Sequence, residues 1–265
     1  MNSDSRSSKS IPKRIQLNVG TLPAPATLPD PYPYESVQPV EQGYIDRAGV
    51  RTWYGVFGTT GPWLVFAPVL QLGHSNAFKG VVPYLAHHFR VVVADLRGNG
   101  RSDRPSTQDA YTFDDYYADF VAIVDHLQIE RTALIGISAA TRTALCFAAR
   151  QPHRVTHLII EGGNPEALVN DPVRYAAFRK SGELMRNDYP AYIDEFWASI
   201  FTEPHSTKQY EDALLQSWAT NGAIIEQGYV GWLAKDAFAE AAQVRCPTLI
   251  MHGEQDARVP FAKGE

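Results

Sequence analysis

From Gln42 onward the chain alternates short apolar runs with longer stretches of helical periodicity. Residues 43–46 and 51–56 read as two strands around a turn at Arg47-Ala48-Gly49. Residues 63–67 form a short apolar strand after Gly61-Pro62, and a helix is predicted over 75–88. The run at 90–95 is continuously β-branched, which suits a parallel strand covered on both faces. A helix follows at 112–127, with Asp114 and Asp115 favouring its first turn. Then come a strand at 132–137, a helix at 139–151 stopped by Pro152, and strands at 155–160 and 247–252. This alternation implies an α/β fold with a mostly parallel sheet, flanking helices and right-handed crossovers. Between Glu161 and Arg245 no strand pattern occurs. Aromatic-rich helical stretches at 175–185, 192–201, 210–218 and 224–233 read instead as a helical insertion over one end of the sheet. There is no internal repeat.

Composition narrows the class. With 265 residues, 45% apolar and 20% charged, the chain suits one large α/β domain or two small ones. A formal charge of −5 argues against nucleic acid or an anionic membrane as the main partner. The apolar runs are strand-sized, too short to span a bilayer. Cys146 and Cys246 make no disulfide framework, so a reducing, cytoplasmic setting is expected. The first residues are Ser-rich and basic without an apolar core, which excludes a secretory signal and leaves a disordered tail or a transit peptide. Six prolines between residues 21 and 40 read as an extended lead-in, so residues 1–41 are expected to be disordered.

The chemistry concentrates at Ser138. An apolar run ends in Gly136-Ile137-Ser138-Ala139-Ala140 and passes straight into a helical stretch. A serine on so sharp a strand-to-helix turn needs small residues two positions either side, and Gly136 and Ala140 are small. This is how a nucleophile elbow reads, and it points to nucleophilic acyl transfer. The competing reading is a helix N-cap serine. The glycines of Gly98-Asn99-Gly100 also invite a dinucleotide reading, but Asp103 stands at the third glycine position and Pro105 interrupts the helix it requires. No Walker A motif and no zinc-ligand spacing is present, so no cofactor or metal is expected.

Three motifs in order carry a family resemblance. Asp95-Leu96-Arg97-Gly98-Asn99-Gly100-Arg101-Ser102 resembles the Asp-x-Arg-Gly-x-Gly-x-Ser loop of the α/β-hydrolase superfamily. Gln151-Pro152-His153-Arg154-Val155 resembles the link after the elbow helix. The segment from Pro247 through Gly253 to Asp256 resembles the strand and turn that deliver the family's acid. A subgroup of bacterial hydrolases, some fused to regulatory or cyclase domains, is similar at 68–75, 97–105 and 203–209. The resemblance covers roughly residues 43–265. It implies a core in two parts, 42–161 and 246–265, with a helical cap at 162–245. It implies hydrolysis of a carboxylic ester or related acyl compound through an acyl-Ser138 intermediate.

The resemblance also assigns roles. The oxyanion hole falls to the N–H groups of Ala139 and Val69, with Leu70 as the fallback, because Pro68 has no N–H. Asp256 is the acid, with Glu161 as a lesser candidate. Leu70, His74, Phe196, Trp197 and Trp218 are candidates to contact a small-molecule substrate. Family order is serine, acid, histidine, yet no histidine follows Asp256 in this sequence. The resemblance therefore implies a C-terminally truncated hydrolase without its base. A non-catalytic small-molecule-binding module and an inert remnant stay open beside it. The oligomeric state is not legible.

Overall fold

The computed structural model describes residues 38–264 except Gln71 and Pro204. Most of the expected N-terminal disordered segment, through residue 37, lies outside the described residues, as do Gln71 and Pro204 of the subgroup likeness. A seven-stranded sheet runs in the order β1-β2-β4-β3-β5-β6-β7. Its strands are β1 (Glu41–Arg47), β2 (Val50–Phe57), β3 (Trp63–Phe66), β4 (Arg90–Ala94), β5 (Thr132–Ile137), β6 (Val155–Glu161) and β7 (Thr248–Met251). The β1–β2 hairpin is antiparallel, turning where Ala48 (φ 54°) and Gly49 (φ 79°) adopt left-handed backbone. β2 pairs antiparallel with β4, and β4, β3, β5, β6 and β7 are mutually parallel.

The central strands show why continuous apolar runs signal a sheet buried on both sides. Leu64 and Phe66 of β3 pack with Val91 and Val93 of β4 in one cluster. Their alternates Val65, Val92 and Ala94 pack on the other face with Phe120, Ala144 and Phe147. Period-2 side-chain alternation thus feeds two cores at once. The second face is covered by α2 (Phe113–His126) and α3 (Thr141–Arg150). Thr112 caps α2 by accepting the Asp115 N–H at 3.1 Å.

The helix expected over 75–88 is broken. The segment forms a 3-10 turn at Ser75–Phe78 and a single α-turn, α1 (Val82–Leu85). Pro83 is the cause: a continuous helix would need an N–H that proline lacks, and its ring would meet the carbonyl four residues back. Between β6 and β7 lie α4 (Pro172–Asn187), α5 (Tyr189–Ala198), α6 (Thr207–Ser217), α7 (Gly222–Leu233) and the short α8 (Phe238–Ala241). Among the described residues no strand interrupts this insertion. Its own core joins Leu72, Met185, Tyr192, Ile193, Ile225 and Tyr229. α8 returns to the sheet layer and packs against α3. β7 forms the sheet edge, with Leu249, Ile250 and Met251 exposed.

Candidate active site

The strand order decides where a site can form. From β3 the chain moves to β4 on one side and then returns to β5 on the other. Loops leaving β3 and β5 diverge at this reversal and open a crevice at the carboxyl ends of the strands. Val69 and Leu70 follow β3, and Ser138 follows β5.

Ser138 occupies left-handed backbone, φ 51°, which L-residues rarely adopt. Its side chain is exposed while the next two residues are buried. The turn is tight enough to exclude side chains behind it. A Cβ on Gly136 would sit 2.7 Å from the Ala144 Cβ and 3.1 Å from the Thr141 Cα. Glycine is required there, and the fully buried Ala140 shows why its position must be small. The turn is held from the insertion: Trp232 Nε1 of α7 donates to the Ala139 carbonyl at 2.7 Å in a fully buried contact.

A cavity of about 510 Å³ opens above Ser138. Its floor is Leu70, Ser138 and Ala139, and Asn164 after β6 and Ala257-Arg258-Val259 after β7 add to it. The helical insertion supplies the walls, among them Arg174, Phe178, Tyr192, Phe196 and Tyr229. Burial pushes the Tyr192 phenol well above its ordinary range and that of Tyr229 up to about 12, so both stay neutral. Arg142 of α3 also lines the cavity; burial foremost, then repulsion from Arg174, pulls its guanidinium down to about 10.

Asp256 stands beside the cavity, two strands over from Ser138. Its Oδ1 accepts the N–H groups of Arg258 and Val259 at 2.8 and 2.9 Å. Its Oδ2 remains for another donor and lies where a Cβ on Gly162, just past β6, would be 3.5 Å away. His252 approaches Oδ2 to 3.5 Å through Nε2, but that nitrogen donates to the Val259 carbonyl at 2.8 Å and the ring is buried. Among the described residues no histidine lines the cavity with Ser138. Glu161 is exposed at the end of β6.

The Asp95–Asp103 loop serves as scaffold. Asp95 is fully buried and accepts the Ser75 and Arg101 N–H groups at 2.7 and 2.9 Å. Arg97 makes two bonds to Asp119 of α2, at 2.6 and 2.8 Å. Ser102 ties the loop to β2, accepting the Trp53 N–H and donating to the Asp95 carbonyl. A Cβ on Gly100 (φ 57°) would collide with the Asp95 carboxylate. The glycines serve this tight turn. Among the described residues no group of three or more His, Cys, Asp or Glu side chains could hold a metal ion.

Of the residues singled out in the sequence, Ser138, Ala139, Leu70 and Phe196 come together around the cavity. Val69 lies next to it, half-buried against the Trp53–Leu64–Phe66 cluster. Three others do not line the cavity. Trp197 turns to donate to the Ser217 Oγ at 2.8 Å, and Trp218 is exposed, edge-on to Tyr189. His74 is drawn toward Asp95, 4.0 Å away, and burial holds its imidazole below the ordinary range. Sequence reasoning missed Arg142, Asn164, Arg174, Arg258, Tyr192 and Tyr229. Arg142 carried a signal, as the one charge between Thr141 and Ala149, four residues beyond Ser138.

A mostly parallel sheet with a strained, exposed serine at its switch point defines the class. The profile of the alpha/beta hydrolase fold family matches residues 62–263, and the chain belongs to that family. It is 29% identical to the AB hydrolase superfamily protein YisY of Bacillus subtilis over 65% of this chain, spanning 66% of that protein's length. It is 29% identical to the bifunctional esterase/perhydrolase DCH of Acinetobacter calcoaceticus, over 83% of this chain and 84% of that one. In fold it is similar to an esterase from Exiguobacterium antarcticum, with a TM-score of 0.74, 21% identity and 83% of each chain covered.

Proposed function

We propose that the chain is a serine hydrolase of carboxylic esters or related acyl compounds that works through an acyl-Ser138 intermediate. The observation that carries this reading is the left-handed, exposed Ser138 on the floor of the cavity. Ser138 Oγ attacks the ester carbonyl carbon and its proton leaves to a base. Negative charge gathers on the carbonyl oxygen, where the N–H groups of Ala139 and Val69 receive it. The tetrahedral intermediate collapses by expelling the alcohol, and water then releases the acid from Ser138. Leu70, Phe178 and Phe196 give the acyl group an apolar wall. Asp256, with Oδ2 uncommitted to the backbone, orients the imidazole that serves as base.

That imidazole is not among the described residues lining the cavity, which fixes the test. Fluorophosphonate labelling should modify Ser138, and Ser138→Ala should abolish it. Hydrolysis of a p-nitrophenyl ester should rise with added imidazole, which replaces the base chemically. The residual rate without imidazole should stay roughly 10³–10⁴-fold above water, as for triads that lack one member. A Ser138→Ala variant as active as the parent would refute the reading. The absence of a histidine from the described lining favours one second reading, a non-catalytic small-molecule-binding module. It predicts ligand binding unchanged by Ser138→Ala, with no turnover even in imidazole.

A further inference from the structure

Three arginines line the cavity over Ser138, Arg142, Arg174 and Arg258. The acid sharing that lining, Glu195, belongs to an exposed position of α5. Among the described residues none of the three arginines lies within ion-pairing distance of a carboxylate. Arg258 instead stacks on Phe196, 4.6 Å from the ring centre.

Arg142 is the most demanding of them. It is 2% exposed, and its bonds run to neutral acceptors, the Lys235 carbonyl at 3.0 Å and the Glu166 carbonyl. The nearby acids are committed elsewhere. The Glu166 carboxylate holds Lys263 Nζ at 2.6 Å. The Asp236 carboxylate accepts the Ala167 and Phe238 N–H groups and the Asn170 amide. The Asp236 and Glu166 charges favour this buried cation without pairing to it, burial outweighs them, and Arg174 adds like charge beside it. Next to Arg142, Asn164 uses Oδ1 to accept the Glu166 N–H at 2.9 Å. Its Nδ2 is buried without a hydrogen-bond partner, in a residue that lines the cavity. A planar two-oxygen anion answers all three deficits at once, because guanidinium and amide donors match carboxylate geometry.

We propose that Arg142, Arg174 and Asn164 form a carboxylate-recognition subsite, so that the substrate is a monoester of a dicarboxylic acid whose free carboxylate sits there while its ester faces Ser138. The inference rests on the acyl-Ser138 reading for the second half of that statement. Calorimetric titration of the chain with monomethyl succinate, glutarate and adipate, each against its dimethyl counterpart, tests it. At least one monoester should bind about tenfold or more tightly than its diester, the discrimination expected of one charge-assisted contact set. Arg174→Gln, at a half-buried position, should bring the two to parity. Asn164→Asp keeps the acceptor for the Glu166 N–H and supplies Arg142 with a carboxylate of the protein's own, so it too should abolish the preference. Lys208→Gln, which removes a charge from the outside of α6, should leave both affinities unchanged. Equal binding of monoester and diester by the parent chain would overturn the subsite, as would discrimination that survives Asn164→Asp or inorganic phosphate binding as tightly as the monoesters. Fluorophosphonate labelling run in parallel separates the two claims. Discrimination without labelling sinks the acyl-serine reading alone, and labelling without discrimination sinks the subsite alone.

Discussion

Left-handed backbone costs an L-residue roughly 1–2 kcal/mol, and Ser138 bears that cost in order to lift its hydroxyl into the cavity. Glycine bears none. Ser138→Gly should therefore raise the unfolding free energy by about 1 kcal/mol while eliminating fluorophosphonate labelling; urea melts beside gel labelling read both. Ser138→Ala keeps a Cβ in the same conformation and should show no comparable gain. Gln128 has nearly the same φ, 49°, in an exposed turn, so Gln128→Gly should stabilise the fold and leave labelling intact. The serine itself was legible because its neighbours Gly136 and Ala140 carry the steric signature of the turn. The cavity's other polar residues were not. Arg142, Asn164 and Arg174 lie on three separate segments, and no local pattern says that they converge.

Elements were legible in proportion to how locally their cause is written. β3 to β6 follow from short apolar runs, and α2 from its acidic first turn. The 75–88 stretch was misread because Pro83 sits inside an otherwise helical pattern. Trp197 and Trp218 were misplaced because helical periodicity does not say which side of an inserted helix faces the site. The Asp95–Asp103 loop shows how a motif with a functional look can be structural. Arg97 and Asp119 are 3% and 1% exposed and bonded to one another, with Arg47 on the same Asp119 Oδ1 at 2.7 Å. Asp119→Ala removes the closer partner of both arginines and leaves them to Asp115 alone, so it should cost about 3 kcal/mol in a denaturant melt. Trp232 joins α7 to the elbow in the same manner. Trp232→Phe keeps an aromatic ring but removes the indole donor to the Ala139 carbonyl, which should cost about 1 kcal/mol and slow labelling of Ser138.

Over the whole molecule, the sign of the carboxylate shifts sets the response to acid. Its Arg51 hydrogen bonds hold Asp103 below its ordinary range. At Asp115 burial pushes upward, but the Thr112 hydroxyl and the Arg47 and Arg97 charges outweigh it and the net shift is also downward. A depressed carboxylate contributes stability above its unfolded pKa and loses it as pH falls through the folded one. Thermal stability should hold at neutral pH and decline below about pH 4, where free aspartates titrate. Asp115→Asn should flatten that decline in melts recorded across the window.

The bond from Trp232 to the Ala139 carbonyl spans 93 residues of chain. That separation gives Ser138 a place in time as well as in space. A chain emerging from the ribosome completes β5, the turn and α3 long before α7 exists, so the serine is present early but its anchor arrives late. Contacts so distant in sequence form slowly, since a long loop must close first. On refolding, helical signal should therefore return ahead of reactivity toward fluorophosphonate, and the lag between them is the interval in which the protein is folded at its sheet but chemically silent.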